Sequence, residues 1–170
     1  MTRTAQGRVF AADSKDWDRR RAEALGVLRA MPVAAPPVPG RRTLAESIGH
    51  GVLVQVLVAE GDIDGAWAAA QRGGCRCSIW IEVADARGVT HRVDAIRVFQ
   101  RLGATALDGG NRAAYGHGAA LIRRAHRFAG TAGLAAQSTA WIVRLREQNR
   151  RRPALQDEFN RHHLPKSLMT

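Results

Sequence analysis

Two cysteines, Cys75 and Cys77, are the residues of this sequence best suited to metal chemistry. Cysteine thiolates bind zinc, and a structural zinc site needs four ligands in a tetrahedron. The chain contains no third cysteine, so His91, or His162 with His163, would have to complete such a site. Two buried or half-buried loop thiols explain the Cys-x-Cys pattern more simply. We therefore predict no metal site and no cofactor.

The remaining polar residues form no recognisable catalytic pattern. Acidic residues of the central region are explained as helix caps, first-turn charges or surface ion-pair partners; they are Asp62, Asp64, Glu82, Asp85 and Asp94. No serine lies in a Gly-x-Ser-x-Gly elbow, and neither a Walker loop nor a dinucleotide-binding glycine pattern occurs. The histidines of the central region occur singly, which is typical of surface or core-edge positions. The sequence therefore predicts a protein that is not an enzyme.

Positive charge is the strongest feature of the composition. The chain carries a net charge of +11, and no Asp or Glu occurs between Gly109 and Arg146. A basic region of this kind attracts nucleic acid or acidic proteins. We predict that seven arginines could contact such a partner: Arg123, Arg124, Arg127, Arg144, Arg150, Arg151 and Arg152. The alternative is a solvated surface, because 24 arginines against two lysines also fits the bias of a GC-rich genome.

The sequence predicts a cytoplasmic protein with no membrane partner. It has no run of 18 apolar residues, and its N-terminal region lacks the continuous apolar core of a secretory signal. A disulfide between Cys75 and Cys77 would close a small strained ring, so the cysteines do not indicate export.

Apolar residues spaced three and four apart predict an all-α protein of about seven to eight helices. Glycine and aspartate mark the boundaries, with Ser14, Asp62, Ser78 and Asn111 as predicted N-caps. The run from Val52 to Val58 fits a buried strand or a helix, and we predict helix because the helical spacing continues to Glu60. The predicted helices are Lys15–Met31, Thr43–Glu60, Ile63–Gln71, 78–87, Val93–Leu107, 111–129, Leu134–Asn149 and Pro153–His163.

Three regions follow from this pattern. Residues 1–42 comprise a flexible arm to about residue 13, one amphipathic helix and a proline-rich linker from Pro32 to Gly40. Residues 43–164 form the helical-repeat domain, in which connections of three to six residues favour antiparallel neighbours. Residues 165–170 are a predicted flexible tail. All four tryptophans fall on apolar stripes and are predicted to pack in the core; they are Trp17, Trp67, Trp80 and Trp141.

Several segments, taken in order, resemble the C-terminal helical region of bacterial SWIM zinc-finger proteins over residues 44–160. They are GDIDGAWAAAQRGGC, the W-x-x-x-A-x-A-R of Trp80–Arg87, DAIRVFQRL, the 115–127 helix and LREQNRRRPALQDEF. Ala95, Phe99 and Leu102 also resemble the second half of a tetratricopeptide repeat. The resemblance implies antiparallel helical hairpins stacked as a right-handed, tetratricopeptide-like array. It does not carry over the zinc finger, whose Cys-x-Cys and Cys-x-His pairs are incomplete here.

Two functions remain open from the sequence, beside a zinc module that would bind metal near Cys75 and Cys77. The first is a non-catalytic helical scaffold that binds another protein through a groove or through its positive surface. The second is a nucleic-acid-binding accessory protein whose arginines neutralise phosphates, so that its affinity would fall steeply with salt.

Overall fold

All regular structure in the described part of the chain is α-helical. The computed structural model describes residues 3–31 and 48–167, with side chains for residues 16–31 and 50–167. Eight helices lie within these ranges, which confirms the predicted all-α class and helix number. They are α1 (Arg3–Ala30), α2 (Ile48–Ala59), α3 (Ile63–Gly73), α4 (Cys77–Arg87), α5 (Arg92–Leu107), α6 (Arg112–Thr131), α7 (Ala135–Gln148) and α8 (Pro153–Arg161).

Two of the four predicted N-caps are confirmed. A side-chain oxygen of Asp62 accepts a hydrogen bond from the Gly65 N–H at 2.9 Å, and Asn111 accepts one from the Ala114 N–H at 2.9 Å. Each bond satisfies one of the N–H groups that the first helical turn leaves without an intrahelical partner. The predictions for Ser14 and Ser78 are wrong, because Ser14 lies within α1 and Ser78 lies inside the first turn of α4, which already begins at Cys77.

The N-terminal region is more helical than its sequence indicates. Helix α1 begins at Arg3, whereas we predict a flexible arm up to about residue 13. This segment contains no proline, and its alanines, glutamine and arginine favour helix. The predicted linker from Pro32 to Gly40 and the last residues of the predicted tail, 168–170, lie outside the described residues. The proposed boundaries at 42 and 164 therefore stay predictions.

The chain divides into two compact units, unit 1 (Met1–Ile79) and unit 2 (Trp80–Thr170). In unit 1, α2 packs against both α1 and α3, and Leu53, Val54 and Leu57 of α2 are buried. The run from Val52 to Val58 is thus a helix, as predicted. An ion pair between Arg21 and Glu60 also joins α1 to the end of α2.

Helices α5 and α6 of unit 2 form an antiparallel hairpin. Phe99 stacks on Phe128 with ring centroids 5.7 Å apart, and nearer the turn Gly103 lies against Ile122. As α5 runs toward the turn, its partners on α6 come from progressively earlier residues. This is the predicted hairpin geometry, while the right-handed tetratricopeptide-like stacking of hairpins stays a prediction.

The two backbones of this hairpin come very close at Gly103 and Gly118. A Cβ atom added at Gly118 would lie 2.9 Å from the carbonyl oxygen of Gly103 and 2.6 Å from a methyl carbon of Leu107. Neither distance is compatible with van der Waals packing, and a backbone oxygen cannot rotate away. Glycine at both positions is therefore what permits the α5–α6 contact.

Helix α6 also packs against α7 and α8, and a hydrophobic core forms where these helices meet. Its fully buried members include Ile122, Ile142, Leu155 and Phe159. Helix α8 is held by a polar contact as well, because the buried carboxylate of Glu158 pairs with Arg112 of α6 at 2.8 Å. Helix α6 is thus the element that α5, α7 and α8 all contact.

The tryptophans do not all pack in the core. Trp80 is buried, whereas Trp67 and Trp141 are half-buried. The prediction for Trp17 is wrong, because its side chain is 66% exposed. Among residues 16–30, the part of α1 whose side chains the structure describes, Leu25 alone is buried. The buried face of this part is therefore narrower than the apolar stripe in its sequence.

The close α5–α6 contact predicts opposite effects for two alanine substitutions on α6. Gly118→Ala should lower the free energy of unfolding, because overpacking costs about 1–3 kcal/mol and exceeds the roughly 1 kcal/mol that alanine gains in helix propensity. Gly130→Ala is the control, since a Cβ there meets nothing within 4 Å, and it should stabilise slightly. Urea denaturation measures both, and equal stability of the two variants would contradict the packing.

Candidate functional site

The three arginines predicted on α6 do not share one environment. Arg123 and Arg127 are exposed, whereas Arg124 is half-buried. Residues three and four apart lie on the same side of a helix, so Arg123 and Arg127 project from one outer face. Among the described residues neither forms an ion pair. We call Arg123 and Arg127 the α6 arginine pair.

Arg124 contributes to the fold of unit 2. Its guanidinium forms an ion pair with Asp85 of α4 and lies 5.1 Å from the centre of the Phe99 ring on α5. A cation above an aromatic face and an ion pair each contribute on the order of 0.5–1 kcal/mol in such half-exposed places. Arg124 therefore joins three helices and is a poor candidate for a partner contact.

The surroundings of Asp85, the acidic partner of Arg124, shift its pKa in two opposite directions. Burial raises the pKa of Asp85, and the positive charges of Arg124 and Arg127 act in the opposite direction. Arg127 thus interacts electrostatically with Asp85 from its exposed position. The two members of the α6 arginine pair therefore differ, because Arg127 affects the pKa of Asp85 and Arg123 does not.

The other four predicted arginines lie on α7 and in the turn before α8. Arg144 is exposed on α7, and Arg150, Arg151 and Arg152 are exposed in the turn. Arg150 pairs with Glu147 at 2.9 Å, an exposed contact of little energetic weight. The turn brings its three arginines together around a concavity of about 430 Å³. The sequence run of arginines is thus also a cluster in space.

Sequence analysis missed one arginine that the structure sets apart. Arg146 is only 8% exposed, although its neighbour Arg144 is on the surface. Its guanidinium donates hydrogen bonds to Oε1 of Gln156 at 3.1 Å and to the carbonyl oxygen of Leu164 at 2.9 Å. Arg146 follows Ile142 by four residues, so helical spacing alone could have placed it on the buried face.

Neither the cysteines nor the histidines form a metal centre in the described part of the chain. Cys75 is buried and Cys77 half-buried, and no disulfide joins them. No group of three or more His, Cys, Asp or Glu side chains among the described residues is arranged to hold a metal ion. His91 instead lies beside Thr90, whose hydroxyl is 2.8 Å from its Nδ1 atom.

One polar contact has the residue types of a catalytic pair. Nδ1 of His126 on α6 lies 3.0 Å from Oγ of Ser138 on α7. The hydroxyl is buried, with Ser138 3% exposed, and nucleophilic catalysis would need it to reach a substrate. Nor does a carboxylate among the described residues hydrogen-bond to His126. The contact therefore satisfies a buried hydroxyl between two helices.

Fold and site together define an all-helical protein with a cationic C-terminal unit. Between Trp80 and Thr170, fifteen Lys and Arg stand against seven Asp and Glu, a net charge of +8. Comparisons with protein families, with characterised proteins and with solved structures find no match. Within the described residues, none of the helices is both long enough and apolar enough to cross a lipid bilayer.

The His126–Ser138 contact predicts a specific pH dependence of stability. Burial lowers the pKa of His126, so the unfolded chain binds a proton at a higher pH, near its ordinary value of about 6.5. The stabilising contribution is thus complete above about pH 6.5 and is lost as the pH falls toward and through the lowered pKa. Urea denaturation at about pH 7.5 and 5.5 measures the free energy of unfolding. Between these two pH values, this free energy should fall less for His126→Gln than for the unchanged chain. His117→Gln, at an exposed site on the same helix, is the control, and equal losses in all three proteins would contradict the assignment.

Proposed function

We propose that the chain is a non-catalytic helical scaffold whose unit 2 binds an acidic protein through its cationic surface. The observation that carries this proposal is the α6 arginine pair. Both side chains are exposed, both lie on the outer face of the most extensively packed helix of unit 2, and neither is paired with a carboxylate of the described residues. A rigid helix holds their spacing before a partner arrives.

The spacing of this pair fits an acidic helix. Residues four apart on an α-helix have Cβ atoms about 5–6 Å apart, so two carboxylates four apart on a partner helix can face Arg123 and Arg127. Arginine is suited to this role because its planar guanidinium donates two parallel hydrogen bonds to one carboxylate. Exposed charges of this kind mainly raise the association rate and set specificity.

A relationship to the C-terminal region of SWIM zinc-finger proteins is part of the same proposal. It rests on the sequence segments that carry the resemblance and on the observed helical hairpins, with no contribution from a zinc site. A tetratricopeptide-like scaffold would present helix surfaces to other proteins without a reaction of its own.

Nucleic acid is the second candidate partner. The net charge of +8 on unit 2 and the arginines clustered in the α7–α8 turn favour it, since exposed guanidiniums also neutralise phosphates. The tryptophans of unit 2 argue against a single-stranded partner, because Trp80 is buried and Trp141 is half-buried. Base stacking needs accessible aromatic faces.

A binding experiment with defined probes separates these partners. The probes are a labelled alanine-rich helical peptide with Glu at every fourth position, its Gln counterpart, and labelled double- and single-stranded DNA. Arg124 is left intact in every variant, because its contacts with Asp85 and Phe99 stabilise the fold. Fluorescence anisotropy at about 50 and 200 mM salt compares the unchanged chain with Arg123→Glu/Arg127→Glu and with the charge-matched control Arg92→Glu/Arg97→Glu on α5.

The proposal predicts that the Glu peptide binds and the Gln peptide does not. The α6 double variant should weaken this binding at least tenfold, and the α5 double variant should weaken it much less. Tighter binding to DNA than to the peptide, falling by orders of magnitude between the two salt concentrations, would favour the nucleic-acid alternative. Equal effects of the two double variants would contradict a role for the α6 arginine pair.

A further inference from the structure

A second concavity of unit 2 lies beside the α7–α8 turn and contains an uncompensated positive charge. We call it the α7–α8 notch. Its volume is about 540 Å³, within the range of small-molecule sites. The side chains that matter for its chemistry are Arg146, Glu147, Arg150, Gln156, Asn160 and Lys166.

Arg146 is the unusual member of this notch. Buried charges are normally paired with an opposite charge, yet no carboxylate of the described residues forms an ion pair with Arg146. Its two hydrogen-bond acceptors, Oε1 of Gln156 and the carbonyl oxygen of Leu164, are neutral, and its guanidinium also lies over the face of the Phe159 ring, 5.1 Å from its centroid. These groups supply dipoles but no counter-charge.

Two further observations point in the same direction. The Nε atom of Arg146 is buried and has no hydrogen-bond partner, and burial lowers the pKa of this guanidinium. Burial of this cation thus costs free energy, and one of the N–H donors of Arg146 makes no hydrogen bond. Gln156 fixes the guanidinium in place, because its amide also donates to the carbonyl oxygens of Arg146 and Asn149, each at 3.1 Å.

The rim of the notch adds donors and charge. Lys166, Arg150 and Asn160 are all exposed, and each can donate hydrogen bonds to an anion. Glu147 is the one carboxylate among the lining residues, and it pairs with Arg150. Three cations against one carboxylate leave the notch with a net charge of +2. A phosphate monoester at neutral pH carries a charge of about −1.5 to −2.

We propose that the α7–α8 notch binds a phosphate-monoester dianion, with Arg146 as the fixed charge of the floor and Lys166, Arg150 and Asn160 as donors at the rim. The phosphate group can belong to a small molecule or to a phosphorylated side chain of a partner, and the notch recognises the chemistry that the two share. The site includes neither member of the α6 arginine pair, so it can fail or succeed independently of the proposed scaffold function.

The test is a titration of the full chain with inorganic phosphate at pH 7.5 and constant ionic strength, followed by NMR of the arginine Nε–H groups. We expect saturable binding that shifts the Arg146 signal. Lys166→Gln should weaken the affinity about tenfold, whereas Arg97→Gln, an exposed arginine of α5 outside the notch, should leave it unchanged. Both substitutions are at exposed positions, so both variants should fold.

Two further arms identify the source of the phosphate. Glycerol phosphate represents the small-molecule source, and a neutral peptide carrying one phosphoserine, compared with its unphosphorylated form, represents the partner source. Whichever of glycerol phosphate and the phosphoserine peptide binds more tightly indicates the source of phosphate that the notch prefers. Absence of saturable binding, or equal weakening in the Lys166→Gln and Arg97→Gln variants, would overturn the proposal, because the latter shows only general attraction of anions to a basic protein.

Discussion

The contact between the backbones of α5 and α6 is the constraint on which unit 2 depends. Gly103 and Gly118 lie so close that a side chain at Gly118 would overlap the carbonyl oxygen of Gly103. This approach lets Phe99 stack on Phe128 farther along the hairpin and fixes the rotation of α6 about its axis. The face of α6 that is then free of α5 packs on α7 and α8, and what remains exposed is the outer face with Arg123 and Arg127.

The same rotation explains why arginines close in sequence have different roles. Arg124 points back toward α4 and α5, where it pairs with Asp85 and contacts Phe99, while Arg123 and Arg127 point outward. On α7, Arg146 follows the buried Ile142 by one turn and lies beneath the notch, while Arg144 lies on the surface. A basic composition with a net charge of +11 thus contains both structural guanidiniums and available ones. The exposed arginines are available to a partner, whereas the proposed anion site depends on the buried Arg146, whose charge has no counter-ion among the described residues.

Helical spacing was sufficient to predict the helices of the central and C-terminal regions, because the apolar residues repeat strongly and glycine, Asp62 and Asn111 mark the ends. It did not predict the helix from Arg3, although the alanines and arginines of this segment favour helix. It also placed Trp17 in the core, because spacing identifies a stripe but cannot show how much of that stripe a neighbour covers. The close approach at Gly103 and Gly118 could not be predicted either, since it depends on the register between two helices. The candidate site was predicted as a list of arginines, and its division into paired, buried and exposed members required the three-dimensional contacts.

Arginine-specific modification of the folded chain, quantified by mass spectrometry, tests this division most directly. A dicarbonyl reagent reacts with a guanidinium according to its accessibility. We expect Arg124 to be modified slowly and Arg146 the most slowly, and these differences should disappear in denaturant. The arginines expected to react fast are Arg123, Arg127, Arg144, Arg151 and Arg152. If Arg124 and Arg146 react in the native chain as fast as Arg123, the packing of α6 and α7 does not bury some arginines and expose others, and the proposed division is wrong.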